Sequence, residues 1–353
     1  MEVDLEGARI VIVMMSAIGD VVHVLPVLHA LKRHAPTCHI TWVLKPVPAM
    51  LVRGHPLIDE IVEFNPDHGW RAYIEVARAL RNRKFDLLLD FQVALKAGIV
   101  TALLNARTKL GFDRARAKDA NWIFTNKRIP PHAPQHVADQ YFEFLRFLNV
   151  EPEPIVWNLG PWEDERAWQR DFFSQFDRPV VSINIATTNA DRDWIPERWG
   201  QVIDTLWDRY GLESVLVGGR SERELATADA ITSVVRHKPQ SALGSGVRRL
   251  VSILDGSALV IALDSAPLHI SNALGRPVIS LMANADPRRT GPYRGSQDLI
   301  VDRYHENGEI SPVSSRRRWG RMPLIAVDDV LEKLDIWRIR YAGVDQAVPD
   351  TYV

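Results

Sequence analysis

In the stretch IVIVMMSAIGDVVHVLPVLHAL, residues 10–31, an aspartate directly follows a glycine where a buried apolar run gives way to an amphipathic one. Gly19 permits a sharp backbone turn, and at a helix start the macrodipole favours the ionised form of Asp20. A carboxylate in that place can accept the proton of a substrate hydroxyl. Asp20 or Ser16 can equally serve as the helix cap. The dinucleotide fingerprint G-x-G-x-x-G needs three glycines and this turn has one, which weighs against a nicotinamide enzyme.

Three further stretches carry groups suited to phosphates and sugars. In VIALDSAPLHISNALGRPVISLM, residues 260–282, Asp264 or Ser265 can cap a helix, Pro267 fits its first turn, and Gly275 with Pro277 ends it. The start of that helix offers unpaired N–H groups to an anion, beside the small residues Ser265 and Ala266, and His269 can add a donor. In IATTNADRDWIPERWG, residues 185–200, Thr187 and Thr188 supply hydroxyls at a strand's end, and Arg192 can take two phosphate oxygens at once. In VGGRSERELA, Gly218 and Gly219 end a strand and Glu222 or Glu224 opens a helix, where an acidic side chain suits ribose hydroxyls or complements the dipole. Each feature also has a plain structural use: His269 as a packed histidine, Arg192 as a solvated loop residue.

The elements that position these groups are short β-branched runs alternating with helical patterns. RIVIVM precedes a helix at 21–34, HITWVL one at 46–54, DEIVEF one at 70–82, and FDLLLDF one at 93–105. Strands separated by single helices imply right-handed βαβ units and a parallel sheet. The rhythm breaks at NVEPEPIVWNLGPWEDE, residues 149–165, and resumes from RPVVSINIA onward. The expected division is a Rossmann-like first domain over 1–155, a linker and connecting helix over 156–177, and a second Rossmann-like domain with a C-terminal helix over 178–353. Two such α/β domains leave a cleft between them, and ligands of open α/β sheets sit outside the carboxyl ends of the strands, where all the residues above fall.

The chain has 353 residues, 46% hydrophobic and 25% charged, the balance of a globular protein large enough for two cores. A net charge of -1 gives no global attraction to nucleic acid or anionic lipid, so a partner must be recognised through local patches. One cysteine, Cys38, permits no internal disulfide, which fits a reducing cytoplasm. The acidic start MEVDLEGAR lacks the plan of a signal peptide, and no apolar run approaches the roughly 20 residues of a membrane helix.

Taken in order, the Gly19-Asp20 turn with Pro26, DFQVALKAG, KLGFDRAR, HVADQY at 136–141, the 187–199 loop, LDSAPLHISNALGRPV and ADPRRTGPY at 285–293 resemble family 9 glycosyltransferases, the group containing the bacterial lipopolysaccharide heptosyltransferases. The likeness spans nearly the whole chain. It implies two Rossmann-like domains of the GT-B architecture, acceptor bound by the first and nucleotide-sugar mainly by the second, with inverting, metal-independent transfer and no cofactor beyond the nucleotide-sugar co-substrate. By position, Asp20 is similar to the family's general base and Arg192 to a basic residue on the donor phosphates. Thr187, Thr188, Asp264, Ser265, Ala266 and His269 fall in donor-binding segments, and Glu222 matches the ribose-binding acid. Ala266 and Ala283 stand where the family has glycines, and SPVSSRRRWGRMP lacks the cysteines of many relatives, so donor choice is less fixed than fold.

Residues 107–128 hold seven Lys or Arg against two Asp. With Lys96, the cations Arg114, Arg116 and Lys118 suit a phosphorylated or acidic lipid-linked glycan at the inner face of the inner membrane, with room for peripheral contact there; an ordinary solvated face accounts for the charge as well. Arg316, Arg317 and Arg318 make a smaller run of the same ambiguity. The expected activity is extension of a cell-envelope glycan from ADP-heptose or another nucleotide-sugar. The alternatives are an epimerase-like nucleotide-sugar enzyme and a silent nucleotide-sugar- or glycan-binding homologue.

Overall fold

The structure, a computed structural model, describes residues 4–343. The last ten residues of the expected second domain therefore lie outside the described residues. The chain divides into two compact units at Asn158/Leu159.

The first unit runs β1 (Arg9–Val13), α1 (Ile18–His34), β2 (His39–Leu44), α2 (Pro46–Val52), β3 (Glu60–Glu63), α3 (Arg71–Leu80), β4 (Phe85–Asp90), α4 (Leu95–Leu103), β5 (Ala106–Gly111), β6 (Lys127–Arg128) and α5 (Val137–Phe147). Its sheet is parallel, in the order β3-β2-β1-β4-β5-β6. The central strands are apolar without alternation because helices cover both faces; Val11, Val13, Val43 and Leu88 are fully buried. Val13 lies opposite both Val43 and Asp90, so the order reverses beside the carboxyl ends of β1 and β4.

In the second unit, α6 (Glu163–Phe173) precedes β7 (Val180–Asn184), α7 (Pro196–Tyr210), β8 (Glu213–Val217), α8 (Glu222–Val234), β9 (Gln240–Ser241), α9 (Val247–Gly256) and β10 (Leu259–Leu263). Then come α10 (Ala266–Ala273), β11 (Val278–Met282), α11 (Pro287–Thr290), β12 (Ile300–Asp302) and α12 (Val327–Arg340). The sheet order is β12-β11-β10-β7-β8-β9, all parallel, with its reversal at β7 and β10. Trp199 is fully buried and meets Trp194 edge to face, and the Trp194 indole donates to the Ile325 carbonyl, tying the loop after β7 to the C-terminal segment. Helix α6 joins this unit through Arg166 and Gln169, which both reach Asp255 on α9.

Two expectations change. Helix α1 starts at Ile18, not at 21, which places Asp20 inside its first turn. The basic segment 107–128 is not one solvated face: Ala106–Gly111 is strand β5, with Thr108, Leu110 and Gly111 buried and Arg107 exposed, and Phe112, Asp113, Asn121 and Thr125 are buried in the stretch after it.

Candidate active site

Each unit gathers its polar groups at the point where its strand order reverses, the place where open α/β sheets bind ligands. In the first unit, β1 delivers the chain to the turn Ser16–Asp20, whose Ser16–Ala17 peptide is cis. The helix N-cap is Ala17, so Ser16 does not cap. Asp20 is the third helical residue, half-buried, and its Oδ2 accepts the Ala17 N–H at 2.8 Å. Oδ1 accepts the Tyr141 hydroxyl at 3.2 Å. Tyr141, 4% exposed, stands on α5, whose start is capped by the His136 ring accepting from Ala138 N–H. The turn is held from the neighbouring strand as well: the Gln92 amide accepts from Met15 N–H at 2.9 Å and donates to the Ser16 carbonyl at 3.0 Å.

Behind Gln92, Asp90 closes β4 with its side chain fully buried. It accepts from Thr101 Oγ1 at 2.9 Å, Asn121 Nδ2 at 3.2 Å and Gln92 N–H at 3.2 Å. Burial nevertheless outweighs those hydrogen bonds and pushes its carboxyl up to about 7.

Of the four cations expected to face an acceptor, three are exposed. Lys96 stands in the first turn of α4, Arg114 lies over the Trp122 ring at 4.7 Å, and Lys118 is anchored by its backbone N–H to the Val93 carbonyl. Arg116 instead turns inward. Its guanidinium pairs with Asp113 and Glu143 and donates to the Pro130 carbonyl, so its charge is neutralised within the unit. The reason is local: Asp113 sits three residues back on the same loop, and α5 brings Glu143 against it.

In the second unit the residues after β7, β8 and β10 have different degrees of freedom. Thr187 is buried and fully used: its N–H donates to Asp193, its hydroxyl to the Asn189 carbonyl, and its own carbonyl accepts from Arg223. Thr188 is exposed. Glu222 opens α8 with an exposed side chain, whereas Glu224 turns back on the strand end. Its carboxylate accepts from Gly219 N–H at 2.6 Å and from the Ser221 N–H and hydroxyl at 2.9 and 2.7 Å. Ser265 is the N-cap of α10, yet neither it nor Asp264 caps through its side chain. The Ser265 hydroxyl goes to Asn184 Oδ1 on β7 at 2.5 Å. His269 is buried in the first turns of α10, Ala266 begins that helix, and Ala283 is buried after β11.

Arg192 ends the short 3-10 turn Ala190–Arg192, with its Nη1 3.9 Å from Asp264 Oδ2. The same carboxylate oxygen accepts Arg317 Nη1 at 2.8 Å. Burial, and then the charge of Arg317, lower the Arg192 pKa; Asp264 opposes them. The arrangement is one carboxylate between two guanidiniums, a net positive centre at the strand ends. Sequence reasoning left Arg317 among three adjacent arginines of uncertain use and did not single out Tyr141 or Gln92, although both lie in segments it noted, HVADQY and DFQVALKAG.

Two doubly wound α/β units, each with its polar constellation at the reversal of strand order, define a GT-B-like fold. The family model for glycosyltransferase family 9 (heptosyltransferase) matches residues 73–316, and the chain belongs to that family. The lipopolysaccharide core heptosyltransferase OpsX of Haemophilus influenzae is 29% identical over 311 residues, covering 87% of this chain and 88% of that one. Among solved structures, the family 9 glycosyl transferase of Veillonella parvula superposes with a TM-score of 0.80 at 20% identity, over 96% of this chain and 99% of that one. The Escherichia coli heptosyltransferase WaaC, solved with ADP, gives 0.73 at 20% identity, over 95% and 99%. The expected α/β fold of two parallel sheets and the resemblance to family 9 are thereby borne out.

Proposed function

We propose that this glycosyltransferase moves heptose from ADP-heptose to the inner core of lipopolysaccharide, in one inverting displacement. Asp20 takes the proton of the acceptor hydroxyl as its oxygen bonds to the anomeric carbon. The bond from that carbon to the β-phosphate oxygen breaks, and ADP leaves with the electron pair. Arg192 and the N–H groups at the start of α10 meet the growing negative charge. The observation that carries this reading is the Arg192–Asp264–Arg317 centre: positive charge held by the fold at the strand ends of the second unit, where a diphosphate can be received.

The supporting names are those of the relatives, which include OpsX and the lipopolysaccharide heptosyltransferase 1 of Escherichia coli, 25% identical over 318 residues. Lys96, Arg114 and Lys118 are offered to an acidic lipid-linked acceptor. No helix among the described residues is long and apolar enough to cross a membrane. In this reading contact with the inner face of the inner membrane is made through such surface cations.

The test is transfer itself. Purified enzyme is given ADP-heptose and a heptose-less lipopolysaccharide core, with UDP-glucose and UDP-N-acetylglucosamine in parallel, and the product is read by mass spectrometry and its anomeric configuration by NMR. One added heptose of inverted configuration is expected. Use of another donor instead reassigns the sugar, conversion of the nucleotide-sugar without acceptor favours an epimerase-like enzyme, and binding without turnover favours a silent homologue.

A further inference from the structure

We infer that Arg317 is a second guanidinium ligand for the donor diphosphate, held ready by Asp264, which toward that diphosphate is a positioning residue. This rests on the donor reading above. Arg317 and Arg192 come from segments far apart in sequence and meet at one oxygen, Asp264 Oδ2, at 2.8 and 3.9 Å. Two like charges beside one carboxylate leave a positive charge uncompensated there.

The donor inventory points the same way. Among the described residues no group accepts a hydrogen bond from the Arg192 side chain, and its Nε is buried without a partner. Among the described residues Arg317 commits only Nη1, to Asp264 and at 3.5 Å to Asn284 Oδ1, and no acceptor there meets its Nε or Nη2. An ionised carboxylate has only acceptors and cannot itself bind a phosphate oxygen. What Asp264 can do is fix a guanidinium that does.

The two neighbours of Arg317 in the run are used differently. Arg318 places both terminal nitrogens on Glu309, at 2.8 and 2.6 Å, and donates to the Tyr304 carbonyl; Arg316 is exposed. The segment between them is pinned to the second sheet. Arg318 N–H and carbonyl pair with Asn284 at 2.9 Å each, the Tyr304 hydroxyl donates to the Arg316 carbonyl at 3.0 Å, and Ser314 N–H donates to the buried Asp286 at 2.9 Å. An otherwise irregular stretch is thus anchored on both sides of one half-buried arginine.

The experiment is calorimetric titration of ADP and AMP into the full chain and into Arg317→Ala, Arg317→Lys, Asp264→Ala and the Arg317→Ala/Asp264→Ala double variant, with a melting curve for each. The native chain is expected to prefer ADP to AMP. Arg317→Ala should weaken ADP about tenfold or more with little effect on AMP, Arg317→Lys should restore part of the loss, and the double variant should bind ADP no more weakly than Arg317→Ala, since positioning and ligand act as one unit. A lowered melting temperature with an unchanged ADP-to-AMP ratio would mean a purely structural ion pair and overturn the inference. Additive losses in the double variant would overturn the role of Asp264. If Arg317→Ala does not fold, Arg317→Gln carries the same comparison. A native chain that binds neither ADP nor any other nucleoside diphosphate sinks the donor reading and the inference with it, whereas native binding with an unaffected Arg317 variant sinks the inference alone.

Discussion

The Tyr141 hydroxyl donates to Oδ1 of Asp20 across 121 residues of chain, while the N–H of Ala17, three residues before it, donates to Oδ2. Each carboxylate oxygen therefore has a fixed partner, one from α5 and one from the start of its own helix. Capping and proton transfer, which the sequence presents as rivals, are compatible: an ionised carboxylate has about four lone-pair directions, and these two bonds set its orientation. A base held in one orientation needs no reorganisation when the acceptor hydroxyl arrives.

Asp20→Asn separates the two roles. The asparagine carbonyl can still accept from Ala17 and its amide can donate to the Tyr141 oxygen, so the melting temperature should reflect a change of less than about 1 kcal/mol, the charge–dipole share. The residue no longer takes a proton, and turnover should fall by about 10²–10⁴-fold. Asp20→Ala removes both hydrogen bonds and should add a stability loss of about 1–2 kcal/mol. Near-native turnover of the asparagine variant would take Asp20 out of the mechanism.

The division of labour between sequence and structure follows physical range. Strand–helix alternation is local, so the runs around Ile10, Leu87, Ile183 and Val260 and the helices after them are legible from period alone. Asp20, Arg192 and Asp264 are legible because each lies between the carboxyl end of a strand and the first turn of the helix that follows it. Arg317 is not, because nothing in an arginine run says which member the tertiary structure will single out; here Glu309 takes Arg318 and leaves Arg317 to Asp264. The inward turn of Arg116 is hidden for the same reason, since Glu143 is 27 residues away. Strand β5 escaped notice because Arg107 and Lys109 alternate with buried Thr108 and Leu110, so a count of charge over the segment outweighed its two-residue period.

Asp90 gives a pH signature. Its carboxyl is at about 7 in the folded chain against 3.8 for the free group, raised by burial. Between those values the folded state holds a proton that the unfolded state has lost, so this group's contribution to stability falls as pH rises through that window and is constant above it. Asp90→Asn cannot ionise. Its melting temperature should rise relative to the native chain from about pH 4 to about pH 7 and then run parallel. A difference independent of pH across that range would show that Asp90 ionises equally well folded and unfolded.

Guanidinium and N–H groups at the second unit's strand ends supply positive charge without a metal in the proposed reaction, so transfer should persist in excess EDTA. The measurement is initial rate before and after chelation and gel filtration, then with magnesium or manganese restored. Complete loss on chelation with recovery on either ion would replace the arginine-based account of the leaving group.

Arg192→Ala tests the donor site directly. The native Arg192 side chain makes no hydrogen bond among the described residues and is opposed by the charge of Arg317, so its removal should change stability by less than about 0.5 kcal/mol. In the proposed reaction its role begins when a diphosphate arrives. The lost charge-assisted bonds should then weaken nucleotide binding by roughly 1.5–3 kcal/mol. Lysine keeps the charge but not the paired donors and should fall between the two. Calorimetry with ADP alongside melting curves reads both quantities. An unchanged dissociation constant would return Arg192 to the status of a loop residue, whereas a stability loss as large as the binding loss would mean that its place beside Asp264 serves the fold rather than the ligand.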